Sequence, residues 1–312
     1  MRNRSIPSAP FLAALSFCAS PFCFAQQSQQ KPLTRAFTAN AEERYQVTAT
    51  IRVETHGITT EKIGEKTYAT PFTHQAEGQV SWRAIRKIAT INADGTAAIA
   101  ESLDQFRANC SAALQSPNAS PDLQESVQDA CANWQTLPQM NYEEEEFGLI
   151  RGLPFAAGDL TGPDSPLLSL WLRRALRPSV ILPKAPLHFG DRVAHKISNP
   201  SGIASNPEGE ESMEWLEAST DTPAATLHVS QNLSWIDPPL KKNASTAGKL
   251  SARQFFYADS LNTLSLLDGS LLQASRSATR ETKEVLDAVP GLPDAPTFGS
   301  KLTITVTMQR LP

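Results

Sequence analysis

Hydrophobic and polar residues alternate along much of this chain, which is the pattern of β-strands with one face toward water. At residues 45–53, apolar tyrosine, valine, alanine and isoleucine alternate with polar residues. Residues 302–309 show the same alternation near the C-terminus. Asp-Gly pairs at 94–95 and 268–269 are typical of tight hairpin turns. Further strands are predicted at 78–91, 97–106, 142–150, 213–216, 227–235, 250–257 and 261–267.

One segment breaks this alternation and predicts an amphipathic helix at about 165–177. Leucine, tryptophan and alanine are too dense there for a half-exposed strand. Pro166 suits the first helical turn, and three arginines near the end complement the negative pole of the helix dipole. Pro178 then ends the helix, because proline cannot continue it.

Regular strands, tight turns and one long helix predict a mainly β (β-rich α+β) protein. We expect a curved antiparallel meander, built as a half-barrel or a sandwich, with the helix covering its concave face. Serine, asparagine, proline and glycine at 199–210 predict an exposed loop. That loop would separate a first β-rich half with helical excursions, at 41–198, from a second β-rich half at 211–312.

The N-terminus predicts a signal peptide at 1–25. Two arginines come before a mostly apolar stretch at 9–24, which ends in a small residue at Ala25. The glutamine-rich residues that follow predict a flexible N-terminus at 26–40. A buried N-terminal helix is the alternative. A lipoprotein signal is disfavoured, because phenylalanine precedes both cysteines of this stretch. We therefore expect an exported protein, either periplasmic or extracellular.

Cys110 and Cys131 are the cysteines that remain once the signal peptide is removed. In an oxidising compartment they predict a disulfide. Such a bond contributes roughly 3 kcal/mol by constraining the loop that it closes. Apolar residues at helical spacing predict a short helical excursion at about 121–135, inside that loop. Two free buried thiols are the alternative, and a metal pair is disfavoured because no histidine lies nearby in sequence.

The charge balance excludes a strongly basic nucleic-acid-binding protein, since 28 Lys and Arg face 32 Asp and Glu for a net charge of −4. Beyond the N-terminus no apolar run is long enough for a transmembrane helix, so the mature chain should have no transmembrane segment. Phosphate-binding loops, nucleophile elbows, zinc helices and EF-hands are missing. The sequence therefore indicates no cofactor, metal or catalytic residue, and it favours a non-catalytic protein while leaving enzymatic activity uncertain.

Two clusters of ionisable residues contain groups that can bind metal ions. His188, Asp191 and His195 offer groups that zinc prefers. They fall on a turn and the strand after it, however, and this geometry does not by itself bring all three together. Glu143–Glu146 could bind calcium or a basic partner. Alternate glutamates on a strand face opposite sides, which favours a solvated strand edge instead.

A short segment resembles a pattern in uncharacterised secreted bacterial β-meander proteins, which share a Pro…Pro…Gly-Asp segment. The matching residues here are Leu182-Pro183, Pro186 and Gly190-Asp191. Those proteins often carry tryptophan two residues after the aspartate, where this chain has Val193. The expected architecture is also similar to periplasmic half-barrels of the lipoprotein-carrier type, although the lipidation cysteine of their anchored members is absent. That similarity implies a sheet that holds acyl chains against a helix.

These observations favour a secreted or periplasmic, non-catalytic envelope protein that binds an apolar ligand or lipid in the concavity of its sheet. Leu168, Trp171 and Leu172 on the helix are the expected ligand-binding residues. The alternative is a secreted protein-interaction or structural module that binds an envelope protein through an edge strand or the acidic strand. A metal-dependent hydrolase built on the two histidines and the aspartate at 188–195 is a third hypothesis.

Overall fold

The computed structural model describes most of the chain after its N-terminal segment. The described residues are 32–64, 66–109, 125, 128, 139–152, 166–184, 186, 188–198, 207–219, 223–236, 251–285 and 297–312. They include helix α1 (Pro166–Ala175) and eleven strands. The strands are β1 (Glu42–Ile63), β2 (Lys66–Ile91), β3 (Ala97–Asn109), β4 (Met140–Glu144), β5 (Ile150–Arg151), β6 (Arg192–Ser198), β7 (Glu208–Ser219), β8 (Ala224–Ile236), β9 (Ser251–Ser265), β10 (Leu271–Val285) and β11 (Thr297–Arg310).

These strands form one antiparallel sheet in the order β5-β4-β3-β2-β1-β11-β10-β9-β8-β7-β6. Strands that lie side by side in the sheet follow one another in the chain, with one exception. The exception is the pairing of the first strand, β1, with the last strand, β11. Among the described strands, β5 and β6 are the two edges and do not pair with each other. The mainly β prediction is confirmed, and a single open sheet matches the curved meander rather than a two-sheet sandwich.

One face of this sheet, which we call the inner face, carries the hydrophobic core. Across β1 and β11, Val47 pairs with Met308 and Ala49 pairs with Val306, and all four side chains are buried. The polar residues between them point to the other face, because successive side chains on a strand alternate. The alternation in the sequence therefore predicted the core of these strands correctly.

Strand β2 begins at Lys66, well before the predicted start at 78. The extra residues form a two-stranded arm with β1 at 57–72. Within the described sheet the arm's strands pair only with each other, because the pairing of β1 with β11 stops at His56 and that of β2 with β3 stops at Gln79. A two-stranded ribbon without further strands beside it does not need alternating apolar and polar residues. The hydrophobic pattern of the sequence therefore gave no indication of this arm.

Three other predicted strands have different limits. The pattern predicted one strand at 142–150, but β4 ends at Glu144 and the chain turns before β5. Gly148 lies in this turn with a φ of +76°. In the second half, the strands predicted at 250–257 and 261–267 are one strand, β9, since its pairing with β8 and β10 continues through the interval.

Helix α1 packs on the inner face of the sheet. Leu168 and Leu172 are fully buried in the main core, and Trp171 packs partly buried against it. The helix begins at Pro166 as predicted, and its last turn is basic. It ends at Ala175 rather than at 177, because Arg177 N–H bonds to the Arg174 carbonyl three residues back and so tightens the final turn.

The segment after α1 is bonded to the turn between β4 and β5. Leu182 N–H donates to the Phe147 carbonyl at 2.9 Å, and Ser179 Oγ donates to the Gly148 carbonyl at 3.0 Å. A Cβ on Gly148 would lie 1.9 Å from the carbonyl oxygen of Val180. Only glycine therefore allows the turn and the segment to approach this closely.

We expect Gly148→Ala to lower the free energy of unfolding by about 1–3 kcal/mol, since it adds a clash to an unfavourable positive φ. Gly152→Ala is the matched control. Gly152 has a φ of +69°, but an added Cβ there would meet no atom within 4 Å. Chemical denaturation of both variants separates the two effects. Equal losses would show that the contact with Val180 contributes nothing.

The residues just before β1 are bonded to two turns of the sheet. Arg35 N–H donates to the Glu146 carbonyl at 2.6 Å, and Ala36 N–H donates to the Asp268 carbonyl at 2.8 Å. The side chain of Arg35 is buried. Both residues fall within 26–40, where the sequence predicted a flexible N-terminus, and that prediction did not include these long-range bonds.

Three predictions involve residues that the structure does not describe. The signal peptide at 1–25 and the Cys110–Cys131 disulfide lie outside the described residues. The helical excursion at 121–135 lies outside them too, apart from Glu125 and Gln128, which have helical backbone and are exposed.

The predicted loop at 199–210 falls between β6 and β7, which are paired neighbours in the sheet. Strand β7 already begins at Glu208, and the division into two halves stays a prediction. Within the described part of the chain, no helix has both the length and the apolar character of a membrane span.

Candidate ligand-binding site

A cavity of about 580 Å³ lies between the inner face of β6–β10 and the chain from α1 to Ile181. Its volume falls in the range of about 300–1,000 Å³ that is typical of small-molecule sites. The wall is mostly apolar, with side chains from both sides of the gap, among them Trp171, Val180, Ile197, Met213, Leu233 and Phe256. The helix and the sheet together therefore line a mostly apolar cavity that is partly open to solvent.

A polar patch lies within this apolar wall and consists of Arg276, Asn262 and Ser260. Arg276 on β10 is only 5% exposed, and its Nε donates to Asn262 Oδ1 at 2.9 Å. Asn262 Nδ2 in turn donates to Ser260 Oγ at 3.2 Å. These side chains occupy inward-facing positions on β9 and β10, where the neighbouring rows are apolar.

The guanidinium of Arg276 also holds the end of α1. Its Nη1 donates to the carbonyl oxygens of Arg174, Ala175 and Arg177 at 3.2, 3.1 and 2.8 Å, and its Nη2 donates to that of Ser179 at 2.8 Å. The last carbonyls of a helix lack partners within the helix and carry its negative pole. A cation at this end therefore satisfies them and stabilises the helix.

No carboxylate among the described residues pairs with Arg276. Its surroundings are neutral carbonyl and amide oxygens. Burial away from a compensating charge lowers the pKa of Arg276 to about 10. The side chain is still a cation at neutral pH, so the cavity contains a buried positive charge that only partial charges offset.

The acidic groups of the cavity already have partners. Glu211 on β7 lies 3.2 Å from His195 Nε2 on β6 and also accepts a hydrogen bond from Gln231 on β8. These three residues are cross-strand neighbours in one row of the sheet. Asp259 lies 2.6 Å from His228 Nε2. Both carboxylates therefore bond to histidines, and neither forms an ion pair with Arg276.

A second polar cluster, which we call the Arg86 network, is buried on the same face near β1–β4. It consists of Arg35, Glu43, Arg86, Glu101, Glu144 and Arg177. Each of the three arginines forms an ion pair with at least one of the three glutamates, and all six side chains are buried. The network bonds Arg35 before β1, and Arg177 two residues after α1, to the sheet.

Tyr142 connects the two parts of the Arg86 network. Arg86 Nε donates to its hydroxyl at 3.0 Å, and that hydroxyl donates to Glu101 Oε2 at 2.8 Å. The pKa of Tyr142 is raised well above its usual value, and burial is the main cause. Burial also acts to raise the pKa of Glu43, but Arg86 and Arg35 outweigh it and hold that pKa below the ordinary value. Glu43 is therefore a carboxylate at neutral pH, beside the two arginines that stabilise its charge.

Only one of the three predicted ligand-binding residues lines the cavity. Trp171 lines the cavity, whereas Leu168 and Leu172 point into the core and hold the helix in place. The cavity lies beside this helix, and the role of the three residues in ligand binding stays a prediction. The polar patch was not predicted. Its one signal in the sequence is Arg276, a charged residue at an inward position between Ala274 and Ala278.

The candidate metal cluster does not assemble. His188 and Asp191 meet each other in an exposed turn, where the His188 N–H donates to Asp191 Oδ2 at 2.7 Å and the ring Nδ1 lies 3.1 Å away. The backbone hydrogen bond from His188 is the main cause that lowers the pKa of Asp191. His195 pairs with Glu211 instead. The described residues contain no group of three side chains suited to hold a metal ion.

The sequence suggested that the acidic run at 143–146 lies on a solvated edge strand, and this prediction is wrong. Strand β4 lies inside the sheet between β3 and β5. Glu144 is buried and pairs with Arg86, while Glu143 and Glu146 are exposed. The predicted alternation of the glutamates is correct, but the inward member has a buried cation as its partner.

Comparison with known proteins identifies no family. No family model matches this chain, and no curated protein matches it. Among solved structures, it aligns with the InvG secretin-domain β-barrel of the Salmonella SPI-1 injectisome, at 7% identity and a TM-score of 0.13. The alignment covers 87% of this chain and 64% of that chain, which is less than two thirds of its length. A likeness at this TM-score carries no argument about fold or function.

Proposed function

We propose that this protein is an exported, non-catalytic binding protein that holds an apolar or amphipathic ligand, such as one lipid acyl chain, in the cavity beneath α1. The observation that carries the proposal is the partly open, mostly apolar cavity of about 580 Å³ between helix and sheet. Apolar walls with a small number of placed polar groups are the usual composition of ligand pockets. Export follows from the N-terminal sequence pattern alone.

Filling part of the cavity should weaken ligand binding. Met213 lines the cavity from β7 and is partly buried. We expect Met213→Trp to weaken binding of a fluorescent acyl-chain probe by more than about tenfold, which corresponds to about 1.4 kcal/mol, because the indole would occupy the space of the chain. Displacement titrations with palmitate measure the affinity of each variant.

Leu216→Trp is the matched control for this experiment. It lies on the same strand and is 38% exposed, and it does not line the cavity. We expect its affinity to equal that of the unsubstituted protein. The proposal fails if the unsubstituted protein does not bind the probe, or if both tryptophan variants bind it equally well.

The alternative, an interaction module, gains support from strand β6. It is an edge of the described sheet, and Val193 on it is 46% exposed. Edge strands offer unpaired backbone groups to a partner strand. The acidic strand offers less, since β4 is paired on both sides. Acyl-chain binding by the isolated protein distinguishes the two functions.

A further inference from the structure

We propose that the ligand of this cavity carries an anionic headgroup, which the polar patch of Arg276, Asn262 and Ser260 binds. This inference rests on the proposed function, because it concerns the chemistry of the molecule in the same cavity. Its starting point is the buried guanidinium that lines the cavity without a carboxylate partner among the described residues.

The patch has donors that the protein does not use. A guanidinium has five N–H groups. The bonds of Arg276 account for Nε, for both hydrogens of Nη1, and for one hydrogen of Nη2. One N–H of Nη2 therefore has no acceptor among the described residues. Asn262 Nδ2 similarly bonds to Ser260 with one hydrogen and keeps the second.

The charge of the patch favours an acid over an alcohol or an ester. A buried cation without a counter-ion has lost its hydration, and carbonyl dipoles return only part of that free energy. A carboxylate or phosphate beside Arg276 would supply a full negative charge and accept the remaining hydrogens as charge-assisted bonds. Glu211 and Asp259 do not fill this role, because they contact His195 and His228 and neither forms an ion pair with Arg276.

The apolar wall of the cavity indicates the chemistry of the ligand beyond its headgroup. Met213, Val229, Leu233 and Phe256 line the same cavity and offer nothing to a polar ligand. A small inorganic anion would leave this surface without a partner, whereas an acyl chain would cover it. The shared chemistry of the ligand is therefore an acidic head on an apolar chain, and the head is either a carboxylate or a phosphate.

The test compares three probes with the same chain on delipidated protein: palmitate, hexadecyl phosphate and 1-hexadecanol. Binding is followed by calorimetry and by intrinsic tryptophan fluorescence, to which Trp171 in the cavity wall contributes. We expect at least one acid to bind about 10–100-fold more tightly than the alcohol, the ratio that hydrogen bonds to a charged group provide. Whichever acid binds more tightly identifies the headgroup.

Two variants assign this preference to the patch. Arg276→Gln should bring the acid-to-alcohol ratio close to one while the alcohol affinity stays within about threefold. Lys196→Gln, which removes an exposed cation at the rim of the same cavity, should leave the ratio unchanged. Because Arg276 also holds the end of α1, Asn262→Ala serves as a milder variant and should lower the ratio severalfold.

The outcomes separate the two proposals. If acid and alcohol bind equally to the unsubstituted protein, the headgroup inference is overturned and the proposed function stands. If none of the three probes binds, the proposed function is overturned and the inference with it. An acid preference that Lys196→Gln removes and Arg276→Gln keeps would also overturn the inference, since it would place the headgroup at the rim.

Discussion

Replacing Arg86 with methionine is expected to lower the free energy of unfolding by about 3–5 kcal/mol, the usual cost of leaving a buried charge without its partner. Arg86 is 0% exposed. Its Nη1 lies 3.0 Å from Glu43 Oε2, and its Nη2 pairs with Glu144. Methionine is similar in length, so the main change is electrostatic. Urea denaturation followed by circular dichroism measures the loss.

The matched control is Arg44→Met, on the neighbouring strand. Arg44 pairs with Glu42 at 2.7 Å, but both side chains are about half exposed. Exposed pairs contribute about 0–1 kcal/mol, because water and salt screen them. A loss below about 1 kcal/mol for Arg86→Met, no larger than that of the control, would contradict the argument from burial.

A double variant tests whether the cost arises from the stranded carboxylate. Arg86→Met with Glu144→Leu removes the arginine and the carboxylate that depends on it most, and Glu43 keeps Arg35 as a partner. Replacing a whole buried pair by apolar residues is often neutral. We therefore expect the double variant to be more stable than Arg86→Met alone. If it is less stable, the packing of the pair rather than its charge is what matters.

Local patterns in the sequence predicted the elements that local chemistry determines. The alternation at 45–53 and 302–309 became the buried rows of β1 and β11, because side-chain direction on a strand depends only on position. The helix at Pro166 follows from its own proline, leucines and arginines. The Asp94-Gly95 and Asp268-Gly269 turns both close as expected, with each aspartate accepting hydrogen bonds from the residue after glycine.

The polar interior could not be predicted in the same way. Alternation places Arg86 and Arg276 on the inner face, but it does not say which groups they meet there. Arg86 pairs with Glu144, 58 residues away, and Arg276 binds the carbonyl of Arg177 across 99 residues. Such partners depend on the sheet order, which a single sequence does not specify. The cavity is a gap between α1 and the strands, and a gap has no sequence pattern of its own.

Helix α1 forms one wall of the cavity, so its attachment to the sheet should govern both stability and binding. We expect Leu172→Ala to lower the free energy of unfolding by about 2–5 kcal/mol, the range for a fully buried leucine. Leu172 is 0% exposed and lies in the main core. The neighbouring Trp171 and Ala175 line the cavity, so a shift of the helix would also weaken acyl-chain binding. Chemical denaturation and probe titration on the same preparation measure the two effects.

Leu267→Ala is the matched control, because it makes the same chemical change at a side chain that is 80% exposed. We expect its stability to stay within about 0.5 kcal/mol of the unsubstituted protein, as for most surface substitutions, and its probe affinity to be unchanged. The two readouts of Leu172→Ala also test each other. Lost stability with unchanged affinity would mean that the strands alone hold the ligand. Loss of both would mean that the packing of α1 on the sheet is what keeps the cavity closed around its ligand.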